Sequence, residues 1–273
     1  MSVVKEPPPT AQSEEQWLRV WGQPFRVLIR PGRGPVIRPV VFINGVGTRA
    51  DILDALVDTF DPSLEVIRFD PPGIGGTPPS YLPYGMPQMA VVVTKLLDQL
   101  GHDHVDVIGY SWGGVVAQQM ALQSRARVRR LVLLSTNSGT LSVPGSMMSL
   151  AMMFSPVAAQ VMHTDDKKIG QLYGGCARKH ADAVRALLLP DFDNAGSGLF
   201  QQLGAATTWT TLPMVWAIQQ PVLILAGTDD PMVPFSNAQL LDKAIPRSRL
   251  LPFDGGHLDP VLEPEWFGAE ISA

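Results

Sequence analysis

The chain has 273 residues, 45% of them hydrophobic and 17% charged, with a formal net charge of −4. That composition suits one large globular domain, or one domain plus an insertion, burying roughly three quarters of its unfolded surface without staples. The acidic balance leaves no basic face for nucleic acid, and the single cysteine, Cys176, excludes an internal disulfide, as expected in a reducing compartment.

Residues 1–16 begin Met1-Ser-Val-Val-Lys-Glu-Pro-Pro-Pro and hold no apolar core of signal-peptide length, so they read as a flexible, Pro-rich lead-in. No apolar run reaches the roughly 18 residues of a membrane span, and a cytoplasmic protein is expected. Trp17 to Trp21 and Phe25 to Ile29 are strand-like and split by Gly22-Gln-Pro24, a hairpin pattern. Nearly continuous apolar runs then recur at Val40–Ile43, Val66–Phe69, Val105–Ile108, Leu131–Leu134 and Val222–Leu225. Strands covered on both faces, as in a parallel sheet between helices, read this way.

Helical spacing lies between these runs. Ile52, Leu53, Leu56, Val57 and Phe60 form one stripe, and Met89, Val92, Val93, Leu96, Leu97 and Leu100 another. Val115, Val116 and Met120 mark a third helix, and Phe235 to Ile245 a fourth, with Asn237 and Gln239 expected outside. Alternating strand and helix predicts an α/β fold with a doubly wound, mostly parallel sheet. The alternation fails across 137–216, so the core is assigned to 17–136 and 217–273. The segment between is assigned to an inserted helical lid over the carboxyl ends of the strands, where open α/β sheets bind ligands.

The chemistry begins at Gly109-Tyr-Ser-Trp-Gly113, directly after the Val105 run and before the third helix. A Gly-x-Ser-x-Gly in that context makes a turn so tight that its serine is held out in a strained backbone geometry. The alternative, that Ser111 only caps the helix, does not account for both glycines. A serine needs a base, and His257 follows Asp254-Gly-Gly just past the last strand-like run, Arg249–Phe253. A third group must orient the histidine, and Asp229 and Asp230 follow the Val222 strand. Ser, Asp, His is the chain order of α/β-hydrolases. The N–H groups of Trp112 and of Val46, in Asn44-Gly-Val-Gly47 after the Val40 run, are placed to hold an oxyanion. His102-Asp-His104 has the look of a metal pair but reads better as solvated loop, as do His163 and His180. No metal or cofactor is expected.

These motifs resemble the α/β-hydrolase superfamily, and within it the intracellular medium-chain-length poly(3-hydroxyalkanoate) depolymerases. The similar stretches are Phe42-Ile-Asn-Gly-Val-Gly, Asp61 through Gly76, Val107 through Gln119, Tyr173-Gly-Gly, Ile218 through Pro231 and Gly255-Gly-His-Leu. The resemblance implies an α/β-hydrolase fold, Ser111 as nucleophile and His257 as base. Counting three residues from Gly227, it implies Asp230 rather than Asp229 as the acid. It departs from the family at Tyr110, where a smaller aliphatic residue is usual, and in the short segment after Glu263-Pro-Glu-Trp-Phe. The expected substrate is a 3-hydroxyalkanoate polyester or oligomer, in solution or at a granule surface.

Residues 147–162 hold five of the chain's eleven methionines, a flexible, polarisable set suited either to an acyl-chain pocket or polymer surface or simply to lid core. Asn44, Tyr110, Met153 and Trp209 are taken as substrate contacts, with Trp216 as a further wall. The competing functions are a small-molecule carboxylesterase, lipase or lactonase, and a ligand- or granule-binding protein that keeps the fold without turnover. A dehalogenase would need a carboxylate at position 111.

Overall fold

The computed structural model describes residues 13–147, 149, 158–193 and 196–273. Eight strands form one sheet: β1 (Glu14–Val20), β2 (Gln23–Arg30), β3 (Arg38–Ile43), β4 (Leu64–Phe69), β5 (Val105–Tyr110), β6 (Val128–Leu134), β7 (Val222–Gly227) and β8 (Ser248–Phe253). Their order is β1-β2-β4-β3-β5-β6-β7-β8. β1, β2 and β4 pair antiparallel, and every pairing from β4 to β8 is parallel.

The first strand starts at Glu14, so the lead-in expected to extend to residue 16 ends earlier. Glu14, Glu15 and Gln16 pair with Ile29, Leu28 and Val27, and Glu15 accepts from Arg26 Nε at 2.8 Å. The hairpin turn is also shorter than Gly22-Gln-Pro24. Trp21 and Gly22, at φ of 51° and 83°, make the turn alone, the backbone of a tight two-residue connection. Pro24 lies in β2 outside the stretch paired with β4, Val27 to Arg30, so its missing N–H breaks no bond on that side.

Alternate residues of the central strands feed two apolar layers, as the pleat requires. Val41, Ile43, Val105 and Val107 face one layer with α2 (Met86–Gln99) and α3 (Trp112–Gln123). Val40, Phe42, Ile108 and Tyr110 face the other. There they meet α1 (Asp54–Asp58) and the helices inserted between β6 and β7. The single helix expected over Ile52–Phe60 divides into a 3-10 turn, Ala50–Leu53, and α1. Arg30, buried in β2, donates to the carbonyls of Val57, Phe60, Asp61 and Leu64 and so ends α1 from the side.

The excursion after β6 carries α4 (Ala158–Thr164), α5 (Asp166–Tyr173), α6 (Ala181–Asp193) and α7 (Ser197–Thr207). Its two ends are tied by an antiparallel bridge, Gly139 to Thr210, with Thr140 N and Thr211 N donating to Trp209 O and Ser138 O. After β7 come α8 (Phe235–Ala244), α9 (Asp259–Leu262) and α10 (Glu265–Ser272). Asn237 is buried rather than outside, because its side chain exchanges two hydrogen bonds with Val143. Among the described residues no helix is long and apolar enough to cross a membrane.

Candidate active site

Ser111 stands between β5 and α3 at φ 53° and ψ −118°, a conformation side chains rarely take. Three hydrogen bonds hold it there. Its N–H donates to Leu134 O at 2.9 Å, and its carbonyl accepts from Gly114 N at 2.9 Å and Thr136 Oγ1 at 2.6 Å. The flanking glycines are needed for space. A Cβ on Gly109 would lie 2.5 Å from Gly113 O, and one on Gly113 would run into the carbonyl of Ile43. The second contact brings the start of α3 against the end of β3.

Because β3, β5, β7 and β8 run parallel, the loops that follow them leave the same edge of the sheet. His257 Nε2 lies 3.1 Å from Ser111 Oγ, and Nδ1 lies 2.7 Å from Asp230 Oδ2. Asp230 Oδ1 accepts from the N–H of Met232 and of Val233, both at 2.9 Å. Both side chains are almost fully buried. An ionised carboxylate only accepts, so the neutral ring keeps its proton on Nδ1 and turns a lone pair on Nε2 to the serine.

Asp229, its neighbour, points elsewhere. It makes a two-pronged pair with Arg178, at 2.9 and 2.8 Å, and accepts from Gly175 N at 2.9 Å. The Arg178 hydrogen bond holds its carboxyl below the usual carboxylate range. Geometry therefore separates two adjacent aspartates that sequence leaves side by side.

The loop of Asn44 to Gly47 lies over Ser111, with Gly45 so close that a Cβ there would sit 3.6 Å from Ser111 Cβ. Asn44 does not reach substrate space. It is buried, donates to Thr48 O and Arg49 O, and accepts from Gly45 N at 2.7 Å, so it shapes the loop from behind. Trp112 is the first residue of α3, and its N–H belongs to the helix's unpaired first turn. Trp112 follows Ser111 directly, and Val46 lines the same cavity as the serine.

Tyr110 explains why a large residue precedes the nucleophile candidate. Its hydroxyl donates to His257 O at 2.6 Å, and its ring stacks on the imidazole at 5.4 Å between centroids. Burial pushes its phenol well above the usual range. Tyr110 also lines the cavity. The Tyr173-Gly-Gly motif supports the same loop, because Tyr173 O accepts from His257 N at 2.7 Å. Gly174 and Gly175 have φ of 68° and 47°, and Gly256 packs directly on them.

Two supports were not among the expected site residues. Asp70 is fully buried and accepts from Ala50 N, Gly76 N and Arg26 Nη1, fastening the loop after β4. Gln202, on α7, accepts from Gly47 N through Oε1 at 2.6 Å and from the Trp112 indole through its carbonyl at 3.1 Å. One inserted residue thus ties the loop after β3 to the first residue of α3. Gln202→Leu is expected to lower kcat about tenfold with KM nearly unchanged, since a loosened donor acts on the transition state. Steady-state kinetics checks this, and an equal rise in KM would place Gln202 in substrate binding instead.

Ser111 and His257 open into a cavity walled by Ile52, Met162, Leu172, Leu188, Leu199 and Leu258. Three of these come from the inserted helices α4, α5 and α6, and Leu199 from α7. Met153 lies outside the described residues. Trp209 and Trp216 do not line the cavity. Trp209 donates to Gln119 at 3.0 Å at the tied base of the excursion, and Trp216 is exposed with its indole on Pro213 O. His102 meets Glu65 at 2.7 Å and His104 meets Ala126 O at 2.8 Å, so the two rings are separately engaged. His163 and His180 are exposed.

One wall carries a carboxyl. Asp191 pairs with Arg49 at 3.1 Å, yet burial outweighs the pair and pushes it up to about 6. A carboxyl raised above its unfolded value contributes stability while protonated, and that contribution is lost as pH rises through about 6. Asp191→Asn should remove this slope. Between pH 4.5 and 7 the difference in Tm between wild type and variant is expected to move against wild type. Thermal unfolding at the two pH values reads it, and a pH-independent difference would contradict it.

Comparison with known proteins agrees with this fold. The alpha/beta hydrolase fold family matches residues 38–264. A poly(3-hydroxyalkanoate) depolymerase of Ectopseudomonas oleovorans is 38% identical over 251 residues, which cover 89% of this chain and 86% of that one. Among solved structures, the enol-lactonase of Burkholderia xenovorans LB400 superposes with a TM-score of 0.79 at 20% identity, covering 94% of this chain and 98% of that one. An alpha/beta hydrolase from a Medee basin deep-sea metagenome library gives 0.81 at 18%, covering 94% and 95%. At those identities the two structures speak for the fold.

Proposed function

We propose that this chain, which belongs to the α/β-hydrolase family, is a serine hydrolase that cleaves 3-hydroxyalkanoate ester bonds in a polyester or its oligomers. The observation that carries the chemistry is the relay from Ser111 through His257 to Asp230, with contacts of 3.1 and 2.7 Å, at the mouth of an apolar cavity. The similarity to a poly(3-hydroxyalkanoate) depolymerase across most of both chains supports the substrate.

In this proposal His257 Nε2 takes the Ser111 proton as Oγ attacks the ester carbonyl. Asp230 keeps the imidazole in the required tautomer and stabilises its cation. The N–H groups of Val46 and Trp112 receive the oxyanion. The imidazolium then protonates the departing alkoxide, leaving an acyl-enzyme and a free hydroxyl end. Water, deprotonated by His257, attacks the acyl-enzyme, releases the acid and restores Ser111. The helices α4 to α7 act as the lid, supplying cavity walls that exclude water and favour a chain of methylenes.

The test uses purified protein and a dispersed poly(3-hydroxyoctanoate) suspension, followed by turbidity and acid release. Clearing with release of 3-hydroxyoctanoate oligomers is expected. Turnover confined to short activated esters or lactones would move the substrate to small molecules and retain the chemistry. No turnover of either class would leave a binding protein on a hydrolase fold.

A further inference from the structure

The cavity beside Ser111 carries few polar side chains outside the relay, and most of them are engaged. Thr48 Oγ1 donates to Gly45 O at 3.2 Å. Ser149 Oγ lies 2.8 Å from Ser146 Oγ and 3.3 Å from Pro231 O. Tyr110 is bound to His257 O, and Asp191 to Arg49. Among the described residues that line the cavity, Tyr173, the last residue of α5, is the exception. It is only 5% exposed, yet no described residue hydrogen-bonds its hydroxyl. The phenol of Tyr84 is sealed off without a partner, whereas that of Tyr173 keeps accessible surface, and the space it lines is the Ser111 cavity.

The backbone around Tyr173 is fixed by the loops that carry the relay. Tyr173 O accepts from His257 N at 2.7 Å. Gly174 packs so closely on the Asp229 carbonyl that a Cβ there would collide, and Gly175 N donates to Asp229 Oδ2 at 2.9 Å. Burial pushes the phenol above its ordinary range, so it stays protonated and able to donate. A donor held in an apolar cavity favours a ligand with an oxygen at that point over one with a methylene, because the methylene leaves the donor desolvated and unpaired.

A hydroxyalkanoate ester at Ser111 brings three oxygens close to the scissile carbon. In the reading above, the carbonyl oxygen goes to the N–H groups of Val46 and Trp112, and the leaving oxygen receives its proton from His257. The third oxygen stands on C3 of the acyl unit, two carbons from the carbonyl, and none of those donors serves it. Resting on the hydrolase reading, we propose that the Tyr173 hydroxyl donates a hydrogen bond to this C3 oxygen, so that the site selects a 3-hydroxyacyl group over a plain fatty acyl group of the same length. The bond is made beside the relay and takes no part in the proton transfers.

The experiment uses two esters that share one leaving group, 3-hydroxyoctanoate, and differ only at C3 of the acyl unit: the 3-hydroxyoctanoate dimer and 3-(octanoyloxy)octanoate. Wild type is expected to favour the dimer by about tenfold or more in kcat/KM. Tyr173→Phe keeps the ring and the backbone bond to His257, and should bring that ratio to within about twofold of one. A ratio of two substrates on one preparation does not depend on how much of it is folded, and Tyr173→Leu gives a second reading of it. A wild-type ratio near one, or a preference that survives both substitutions, would overturn the proposal. So would an equal loss on both esters, which would make Tyr173 a support of the His257 loop alone. Wild type that cleaves neither ester, or turnover that survives Ser111→Ala, would instead remove the hydrolase reading itself.

Discussion

Ser111→Ala is expected to lower kcat on any ester substrate by about a millionfold, to the level left by binding and the oxyanion donors alone. The effect is large because the site is organised around this one oxygen. The positive φ of Ser111, the glycines on either side and the bonds from Gly114 and Thr136 to its carbonyl all place Oγ within 3.1 Å of His257. Alanine keeps that backbone and loses the nucleophile, so Tm should stay close to wild type while turnover vanishes. Single-turnover kinetics with an activated octanoyl ester, beside a thermal melt, measures both. A variant that still shows a rapid acylation burst would mean that the nucleophile lies elsewhere.

Asp230→Asn is the second large effect, a loss of about 10⁴-fold in kcat. The two carboxylate oxygens of Asp230 serve three donors: Met232 N, Val233 N and His257 Nδ1. An asparagine has one oxygen. Kept on the backbone donors, it turns its NH₂ toward His257 and forces the ring into the tautomer whose Nε2 already carries a proton and cannot accept one from the serine. Asp229→Asn is the matched control. It breaks an exposed pair with Arg178, of a kind worth about 0–1 kcal/mol, and turnover should fall by less than about threefold. Parallel kinetics on the two variants decides the matter, and equal losses would remove Asp230 from the relay.

The fold was legible because it is written in periodicity. The runs at Val40, Val66, Val105, Leu131 and Val222 all lie in strands, and the stripes at Met89, Val115 and Phe235 in helices. A strand covered on both faces and a helix covered on one leave different apolar spacings, and those spacings are local. Ser111 and His257 were legible for a related reason. Each sits beside glycines at a carboxyl strand end, and the glycines record a close approach that no larger residue permits.

Local patterns carry no record of where a side chain turns at the end of its loop. Asn44 and Trp209 look like substrate contacts by type, yet each spends its polar atoms on the scaffold. Asn237 is an unremarkable polar residue in a helix until the excursion after β6 returns to meet it. Gln202 lies 155 residues from Gly47 along the chain, and only the folding of α7 over the Asn44–Gly47 loop makes them partners. By itself the sequence determined the layers, the sheet and which residues stand at its working edge, because those follow from spacing and backbone sterics. What Asp229 binds in place of His257, and what holds the loop over Ser111, were decided by tertiary structure alone, because each depends on directions set by distant parts of the chain.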